Sequence, residues 1–485
     1  MRTLEGEPPG LFWLTRDFRF GANAALAAAI SEGPLLAVFF VDRLLTAQGA
    51  ASRWRLGRAL RVFDGELRRR SGQSGVLVLR GEPDELLPEL LHRTGASLVH
   101  QTDWPTPAMR ALQARVRRRL SALGAELVVH GGHLLVDPAA VRSGAGTPYR
   151  VFGPFARAVR DLGPARPGQS APPEVATYFA HVRGLDVESL ELAPDLASGG
   201  PVLEEFALPA GERAATQPLE RYLDTGGYAG NRDRPDIAAT SGPSEHLALG
   251  EISPRSVWEA ATAKLESRLA GTRANDVERF LTELLWREFA WHLLNEFPLL
   301  AEQPWQPRWE RFSWRGENAD HARWLRAETG LGLVDAGLRE MRVTGRMHNR
   351  VRMVVAGWLT KQALTDWRVG LKHFEDSLTD WDPASNAMNW QWVAGCGPAA
   401  APYFRILNPV VQAQRFDPEG RYRRRWLAGW EGPPTAEALG YLATVPLSWN
   451  VARNWREGSA EDLQRDGRQR ALAAYETFLS RTKPS

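Results

Sequence analysis

Cysteine is almost absent from this chain of 485 residues, which contains only Cys396. One cysteine cannot form an internal disulfide, and it excludes the thiolate clusters that hold structural zinc or iron–sulfur centres. We therefore predict no metal site. No apolar run approaches the roughly 20 residues that cross a bilayer, and the N-terminus lacks the apolar core of a signal peptide. These absences predict a cytoplasmic protein with no membrane partner.

A large excess of charge of either sign is also missing. The 60 Lys and Arg residues nearly balance the 57 Asp and Glu residues, which leaves a formal net charge of +3. Global charge therefore gives no sign of a nucleic-acid partner, which would need a local basic patch. The chain also lacks a GxGxxG motif after its first predicted strand, an HExxH pair and a Walker lysine. Ordinary NAD-binding, hydrolytic and phosphoryl-transfer enzymes thus receive no support.

The first part of the chain alternates short apolar runs with helical patterns. Such alternation predicts a doubly wound parallel sheet of the Rossmann-like α/β class. The loop after the first strand carries Arg16, Asp17 and Arg19 at the edge where such sheets bind ligands, although a solvated charge cluster is an equally good interpretation. The predicted strands are Leu11–Leu14, Leu35–Val41, Val76–Leu79, Ser97–His100 and Leu127–His130, and the predicted helices are Asn23–Ile30, 52–70, 83–94 and 106–123.

Composition divides the chain into three parts. Residues 1–133 hold the α/β pattern, and residues 134–218 contain prolines and glycines at the density of a long interdomain linker. From residue 219 to residue 485 the pattern is helical with short loops. We expect an all-helical domain that closes with a helix near Glu461–Leu479.

The densest cluster of polar and aromatic residues runs from Asp380 to Trp392. It places two aspartates and Asn386 beside three tryptophans, whereas a plain core helix would keep its acids outside. The pattern suits a flat cofactor with rings to stack on and ring nitrogens to hydrogen-bond. The alternative is a tryptophan-rich turn in a helical core.

Two further stretches could surround such a cofactor. Residues 228–250 supply a phenol, a guanidinium and several hydroxyls around tight turns, which suits a diphosphate but also fits ordinary helix caps. Residues 282–293 place Glu283, Trp286 and Arg287 on one helical face. That face is either a pocket with one polar anchor or a surface ion pair.

Two further stretches, residues 344–353 and 402–426, also carry candidate functional residues. In residues 344–353, Asn349 and Met353 share a helical face, while a lone His348 is more often structural than catalytic. Residues 402–426 interleave arginines with aromatic rings. That composition is typical of a surface that grips a phosphate backbone, with a merely solvated arginine face as the alternative.

Together these stretches resemble the photolyase/cryptochrome family. The similarity runs from WLTRDFRF at 13–20 and PYRVFGPF at 148–155 to RALAAYE at 470–476, and its most specific motifs are GRMHNRVRM, NWQWVAGCG and PYFRILNP. Within the family the chain looks most like bacterial class I enzymes that repair cyclobutane pyrimidine dimers. The resemblance implies a monomeric, light-driven lyase. In such an enzyme, excited and fully reduced anionic FAD passes an electron to a dimer flipped out of UV-damaged DNA.

The resemblance also implies which residues contact the FAD. Hydroxyls and cations of residues 228–244 would surround its phosphates, Asn386 would lie near N5 of the ring system, and Arg352 would pair with Asp380. The full implied set is Tyr228, Arg232, Thr240, Ser241, Ser244, Arg287, Arg352, Asp380, Asp382 and Asn386.

Three other sets of residues follow from the same resemblance. Glu283 and Asn349 would hydrogen-bond the carbonyls of the dimer, and the apolar walls of its pocket would be Trp286, Met353 and Trp392. A chain of Trp390, Trp367 and Trp314 would carry electrons from the surface to the flavin. The implied contacts to DNA are Arg350, Arg405, Arg415 and Arg421.

The sequence departs from the family pattern at several points. Gly242 and Pro243 stand where the family usually has Arg-Leu, and Arg346 replaces a usual tryptophan, so both bear on FAD affinity. The antenna-binding segments are poorly matched, which leaves open whether a deazaflavin or folate antenna is bound at all.

Other functions within and outside the family stay open at this point. A cryptochrome-type blue-light receptor without repair activity is one alternative, and repair of the (6-4) photoproduct is another. A nucleic-acid-binding module without flavin is the third. Asn349 and Met353 favour dimer repair, because (6-4) chemistry in the family is associated with a histidine pair in the lesion pocket.

Overall fold

The computed structural model describes residues 7–72, 74–164, 169–196, 199–267, 272–316, 318–398, 406–458 and 460–482. Five parallel strands form one sheet near the N-terminus, and helices make up most of the rest. The predicted class, an α/β sheet followed by a helical domain, is confirmed.

The strands are β1 (Gly10–Trp13), β2 (Leu35–Val41), β3 (Leu77–Arg80), β4 (Leu98–Thr102) and β5 (Glu126–His130). The helices of the sheet region are α1 (Ala24–Glu32), α2 (Arg43–Thr46), α3 (Ala50–Ser71), α4 (Pro83–Thr94) and α5 (Pro107–Ser121). Those of the middle region are α6 (Phe152–Leu162), α7 (Gly199–Glu205), α8 (Glu212–Thr225), α9 (Tyr228–Asn231), α10 (Ser244–Leu249) and α11 (Pro254–Glu266).

The C-terminal half contains α12 (Thr272–Glu296), α13 (Ala319–Leu325), α14 (Gly332–Thr344), α15 (Asn349–Gly357), α16 (Trp367–Ser377) and α17 (Pro383–Ala394). They are followed by α18 (Pro409–Phe416), α19 (Arg421–Trp426), α20 (Ala436–Thr444) and α21 (Ala460–Thr482). Short 3₁₀ turns cover Pro194–Leu196, Pro307–Arg311 and Leu447–Trp449, and a π-helical turn covers Trp358–Gln362.

The sheet has the strand order β3-β2-β1-β4-β5. β1 lies between β2 and β4, with Phe12 paired to Ala37 on one side and to His100 on the other. All residues of β1 and β2 are buried, as expected for parallel strands covered by helices on both faces. The carboxyl ends of β1, β2 and β4 therefore meet at one edge of the sheet.

Several helices begin where the sequence supplies a cap. Asn23 accepts a hydrogen bond from the Leu26 amide at the start of α1, and Thr106 accepts one from Met109 at the start of α5. α17 begins with Pro383 behind the cap residue Asp382. These are the residue types that satisfy the free amides of a first helical turn.

The segment between the sheet and the helical domain packs on the sheet itself. The Leu35 amide at the start of β2 donates to the carbonyl of Ala176, and the Leu185 amide donates to Val78 of the edge strand β3. Val175 and Leu190 lie in the same buried cluster as Phe12 and Phe63. The segment thus completes one face and one edge of the sheet.

The charged loop after β1 is neither exposed nor solvated. Arg16, Asp17 and Arg19 are 3%, 0% and 1% exposed. Arg16 donates to the carbonyl of Ala248, and Arg19 donates to the carbonyls of Gly250 and Gly132. The loop therefore joins the sheet to the start of the helical domain, and a solvated charge cluster is the wrong interpretation.

A buried ion network makes a second contact between the two regions. Arg55 of α3 binds Glu251 through two hydrogen bonds of 2.6 and 3.1 Å and binds Glu245 of α10 at 3.0 Å. His246 lies 2.5 Å from the Glu251 carboxylate. Burial raises the pKa of Glu251, but the charges and hydrogen bonds of Arg55 and His246 together outweigh burial and lower the pKa to about 2.

Candidate active site

Two aspartates just before α17 are fixed by partners from distant helices. Asp382 caps the helix by accepting the Ser385 amide at 2.8 Å. It also accepts the indole N–H of Trp291 at 2.9 Å and lies 3.6 Å from the Arg287 guanidinium. Asp380 accepts from Arg352 through both oxygens, at 2.9 and 3.0 Å. The pairing of Arg352 with Asp380, which the resemblance implied, is present.

Asn386 follows one turn into α17. Its side-chain amide donates to the carbonyl of Leu371 in α16 at 3.1 Å. The side chain is half-buried, so its orientation is set by the contact between the two helices. Asn386, Asp382 and Asp380 thus form a row of oriented polar groups along the start of α17.

Arg287 belongs to a buried network that the sequence reasoning missed. Its guanidinium donates to the ring Nε2 and the carbonyl of His133 at 3.0 and 3.1 Å, and to Glu288 at 3.2 Å. Glu288 also accepts the amides of Leu135 and Val136. Burial raises the pKa of Glu288 to about 7, and burial with the nearby Arg287 charge lowers the pKa of His133. The only feature of the sequence that could have indicated this network is that Glu288 directly follows Arg287.

The residues expected to bind the lesion lie on α12 and α15. Glu283 of α12 forms an ion pair with Arg232. A residue expected to bind the lesion therefore contacts a residue expected to bind the phosphates of FAD. Trp286 stacks on Phe152 of α6, with ring centroids 3.6 Å apart and planes within 5°. Phe152 lies in the PYRVFGPF stretch, which therefore packs against the helical domain.

Asn349 and Met353 occupy the first turns of α15, and Trp392 lies on α17. Asn349 is exposed, while Met353 and Trp392 are half-buried. The N-cap of α15 is His348, whose Nδ1 accepts the Arg350 amide at 3.2 Å. A histidine thus caps the helix that carries Asn349 and Met353, the two side chains of α15 expected to face a lesion.

The implied phosphate-binding residues are spread over the turns between α9 and α10. Tyr228 is buried, and the Arg232 guanidinium lies 5.2 Å from the centre of its ring. Thr240 and Ser244 are exposed and Ser241 is half-buried. Gly242 has φ 74°, a left-handed conformation that glycine adopts without strain. The hydroxyls therefore line a tight, open turn before α10.

The three tryptophans of the implied electron chain run from the core towards the surface. Trp390 and Trp367 are 2% and 1% exposed, and Trp314 is half-buried. Trp390 packs edge-on against Phe374 at 4.9 Å. The backbone of Arg315 bridges to that of Thr365, which brings the residues next to Trp314 beside those next to Trp367.

The implied DNA contacts lie around α15, α18 and α19. Arg350 and Arg415 are brought together on Phe416, at 4.6 and 5.1 Å from the centre of its ring. Arg415 and Arg421 are exposed, and Arg421 pairs with Glu419. Arg405 lies outside the described residues.

Not every arginine of the basic stretch is available to a ligand. Arg423 donates to the buried carboxylate of Asp417 at 2.9 Å and to its carbonyl at 3.0 Å. Arg425 pairs with Glu437. Arg423 has a structural role at the start of α19, so the stretch is less basic at its surface than its sequence suggests.

A separate cleft lies at the carboxyl edge of the sheet. It is lined in part by Thr15, Arg16, Asp42, Gln48 and Trp104. The Arg16 guanidinium stacks on Trp104 at 4.7 Å and reaches Trp381, beside Asp382, at 5.8 Å. The cleft is thus connected to the aspartates of α17 through one arginine.

The donor set of the helical region fits FAD. Oriented carboxylates and an amide suit the polar edge of an isoalloxazine, and the hydroxyls before α10 with Arg232 suit a diphosphate. Among the described residues, no group of three or more His, Cys, Asp or Glu side chains could hold a metal ion. None of the helices in the described ranges is long and apolar enough to cross a membrane.

Comparisons with known proteins agree with this geometry. Residues 10–174 match the sequence family described as DNA photolyase, and residues 280–453 match the FAD binding domain of DNA photolyase. The chain is 37% identical to the deoxyribodipyrimidine photo-lyase of Agrobacterium fabrum, over 86% of this chain and 87% of that protein. It is 31% identical to the Escherichia coli protein of the same name, over 96% and 98%.

The chain is also similar to solved structures. A bacterial class III photolyase from Agrobacterium tumefaciens superposes with a TM-score of 0.84 at 33% identity, covering 99% of this chain and 100% of that one. A Synechocystis cryptochrome superposes with a TM-score of 0.79 at 24% identity, covering 96% and 100%. The second likeness concerns the fold alone.

Proposed function

This chain belongs to the photolyase/cryptochrome family, and we propose that it is a light-driven lyase that splits cyclobutane pyrimidine dimers in UV-damaged DNA. The relatives named deoxyribodipyrimidine photo-lyase are lyases, and FAD is the cofactor of the domain that residues 280–453 match. When bound, FAD supplies a light-driven electron to the dimer. We further propose that the protein works as a monomer in the cytoplasm.

One observation carries the proposal for the site residues. Glu283 on α12 and Arg350 on α15, next to Asn349, are bridged by the neighbouring residues Arg232 and Asp233. Two helices that are distant in sequence are therefore joined through this link, close to Glu283 on one and Asn349 on the other. A dimer flipped out of the duplex offers carbonyls to such groups.

The residues beside the flavin have the role of holding polar groups in fixed orientations. The Asp380–Arg352 pair and the Asp382–Arg287–Trp291 contacts orient carboxylates towards the flavin, with Asn386 beside them. Fixed polar groups of this kind stabilise charge that develops during a reaction.

The pocket and the surface around it complete the proposal. Trp286, Met353 and Trp392 exclude water from the dimer. Phosphate contacts come from Arg350, Arg415 and Arg421, and Trp390, Trp367 and Trp314 carry electrons inward. For Arg405, which lies outside the described residues, a phosphate contact stays a prediction.

The two alternatives within the family have less support. The likeness to a cryptochrome is a likeness of fold, and Asn349 and Met353 stand where a (6-4) enzyme is expected to have histidines. The prediction of a class I enzyme stays a prediction, because one similar structure is described as class III.

An illuminated repair assay tests the proposal. Purified protein with reduced FAD is mixed with an oligonucleotide carrying one thymine cyclobutane dimer, and the ultraviolet absorbance of intact pyrimidines is followed in light and in darkness. We expect recovery only in light, and its loss in the double variant Glu283→Ala, Asn349→Ala. Glu278→Ala with Asn295→Ala, two side chains on α12 outside the proposed site, is the matched control. Dark recovery, or no recovery from protein that carries FAD and binds the oligonucleotide, contradicts the proposal.

A further inference from the structure

A short charged segment contacts Arg350, one of the arginines that face DNA in the proposed function. Residues 232–236, which we call the RDRPD segment, follow α9 directly. Arg234 pairs with Asp236 within the segment. The charge of Arg421 also helps to lower the pKa of Asp236, and the charges of Asp417 and Glu419 help to raise the pKa of Arg234. The segment therefore lies near the turn between α18 and α19.

Asp233 of this segment occupies one of those arginines. Its Oδ2 accepts a hydrogen bond from Nη2 of Arg350 at 2.5 Å, and its Oδ1 lies 3.8 Å from Nε of Arg232. The side chains of Asp233 and Arg350 are 36% and 22% exposed. The pair thus lies at the surface, within reach of a macromolecular ligand.

The surroundings of Arg350 are arranged for a phosphate. Its guanidinium lies on the face of Phe416, and Arg415 lies on the same ring. Two guanidinium groups that share one aromatic ring form a compact positive patch, and guanidinium binds carboxylate and phosphate with the same geometry. The Asp233 carboxylate therefore competes directly with a DNA phosphate for Arg350.

We propose that Asp233 is an acidic latch that holds Arg350 until DNA displaces it. The inference rests on the proposed function. Undamaged duplex and duplex with a dimer must both break the Asp233–Arg350 pair before a phosphate reaches Arg350. The latch thus weakens binding to both duplexes by a similar factor.

Asp233→Asn tests the latch through DNA binding. Partly exposed ion pairs contribute up to about 1 kcal/mol, so we expect the variant to bind undamaged duplex about three- to fivefold more tightly. It should bind dimer-containing duplex more tightly by a similar factor, so that its preference for the lesion stays the same. Fluorescence anisotropy with the two duplexes measures both affinities.

A matched control separates the latch from a general change of charge. Asp195→Asn removes the same charge from a partly exposed aspartate that pairs with Arg53 at 2.6 Å near α3. It should leave both affinities unchanged. An equal gain in Asp195→Asn and Asp233→Asn would overturn the proposal, as would no gain in Asp233→Asn.

A double-mutant cycle adds a second criterion. Because Asp233 acts through Arg350, Asp233→Asn should give no further gain in a protein that already carries Arg350→Gln. A gain of the same size in both backgrounds would overturn the latch.

The outcomes also distinguish the latch from the proposed repair activity. If wild-type protein binds DNA but repairs no dimer in light, the proposed function fails while the binding cycle still tests Asp233. If wild-type protein repairs dimers and Asp233→Asn behaves like wild type, the latch alone fails. If no variant binds either duplex, both fail together.

Discussion

His348 couples the start of α15 to pH. Its Nδ1 accepts the Arg350 amide, which requires an unprotonated ring nitrogen. Burial, with a smaller contribution from the charges of Arg352 and Arg350, lowers its pKa from 6.5 to about 4, although Asp233 and the backbone of Arg232 oppose the shift. The unfolded chain therefore binds a proton more readily than the folded protein between these two values.

Stability should fall as pH falls from about 6.5 to about 4, by at most about 3 kcal/mol from this group. His348→Asn keeps a capping oxygen and cannot titrate, so the variant should lose less stability over that range. Urea unfolding of both proteins at several pH values measures the difference. His373 also has a pKa lowered to about 4, so only the difference between the two proteins is informative. Parallel pH curves would contradict a titrating cap.

At the same scale, the sequence predicted local pairings better than distant ones. The pairing of Arg352 with Asp380 followed from the resemblance. The pairing of Arg232 with Glu283 did not, because the first residue was assigned to phosphates and the second to the lesion. Glu288 and His133 could not be found at all, since a single sequence does not show which buried groups meet across 154 residues.

At the scale of elements, α16 and α17 pack closely because residue 370 of α16 is a glycine. A methyl group on Gly370 of α16 would lie 2.1 Å from the ring of Trp390. The large indole thus fills the space that a glycine leaves, and it keeps the proposed inner member of the electron chain in place.

Gly370→Ala should therefore destabilise the protein by about 1–3 kcal/mol, the usual cost of overpacking a core. It should also slow photoreduction of bound oxidised FAD, because Trp390 must move. Gly65→Ala is the matched control, since a methyl group at this glycine of α3 meets no atom within 4 Å. That change should stabilise the protein by about 0.5–1 kcal/mol. Equal unfolding temperatures and photoreduction rates for the two variants would rule out this packing argument.

The strands show what periodicity can predict. Each predicted strand lies within two residues of the observed one at both ends, because buried parallel strands are short apolar runs between polar loops. The helices of the middle region were harder. α8 begins at Glu212, whereas the helical pattern was expected from residue 219, since Pro218 inside the helix obscured its first two turns.

At the scale of the whole molecule, buried charge joins the sheet to the helical domain. Arg55 compensates Glu245 and Glu251 at the same time, and all three side chains are at most 2% exposed. Removing one member of a buried ion network leaves uncompensated charge, which typically costs 3–5 kcal/mol.

Arg55→Met should therefore lower the unfolding temperature strongly, whereas Arg68→Met should change it little. Arg68 pairs with Asp64 at 2.7 Å but is half-exposed, and such pairs contribute less than about 1 kcal/mol. The deficit of Arg55→Met should be smaller at pH 5 than at pH 8, because its isolated carboxylates can then take up protons. Calorimetry at both pH values checks the prediction, and a deficit that does not depend on pH would argue against it.

The segment that returns to the sheet after β5 has a consequence for the synthesis of the protein. Its backbone pairs with Leu35 and Val78, and Val175 and Leu190 fill the core beside Phe63. All five strands leave the ribosome before these residues do. The nascent sheet thus has part of one apolar face and its β3 edge uncovered until about residue 190 emerges. During that interval, chaperones have an accessible target on the growing chain.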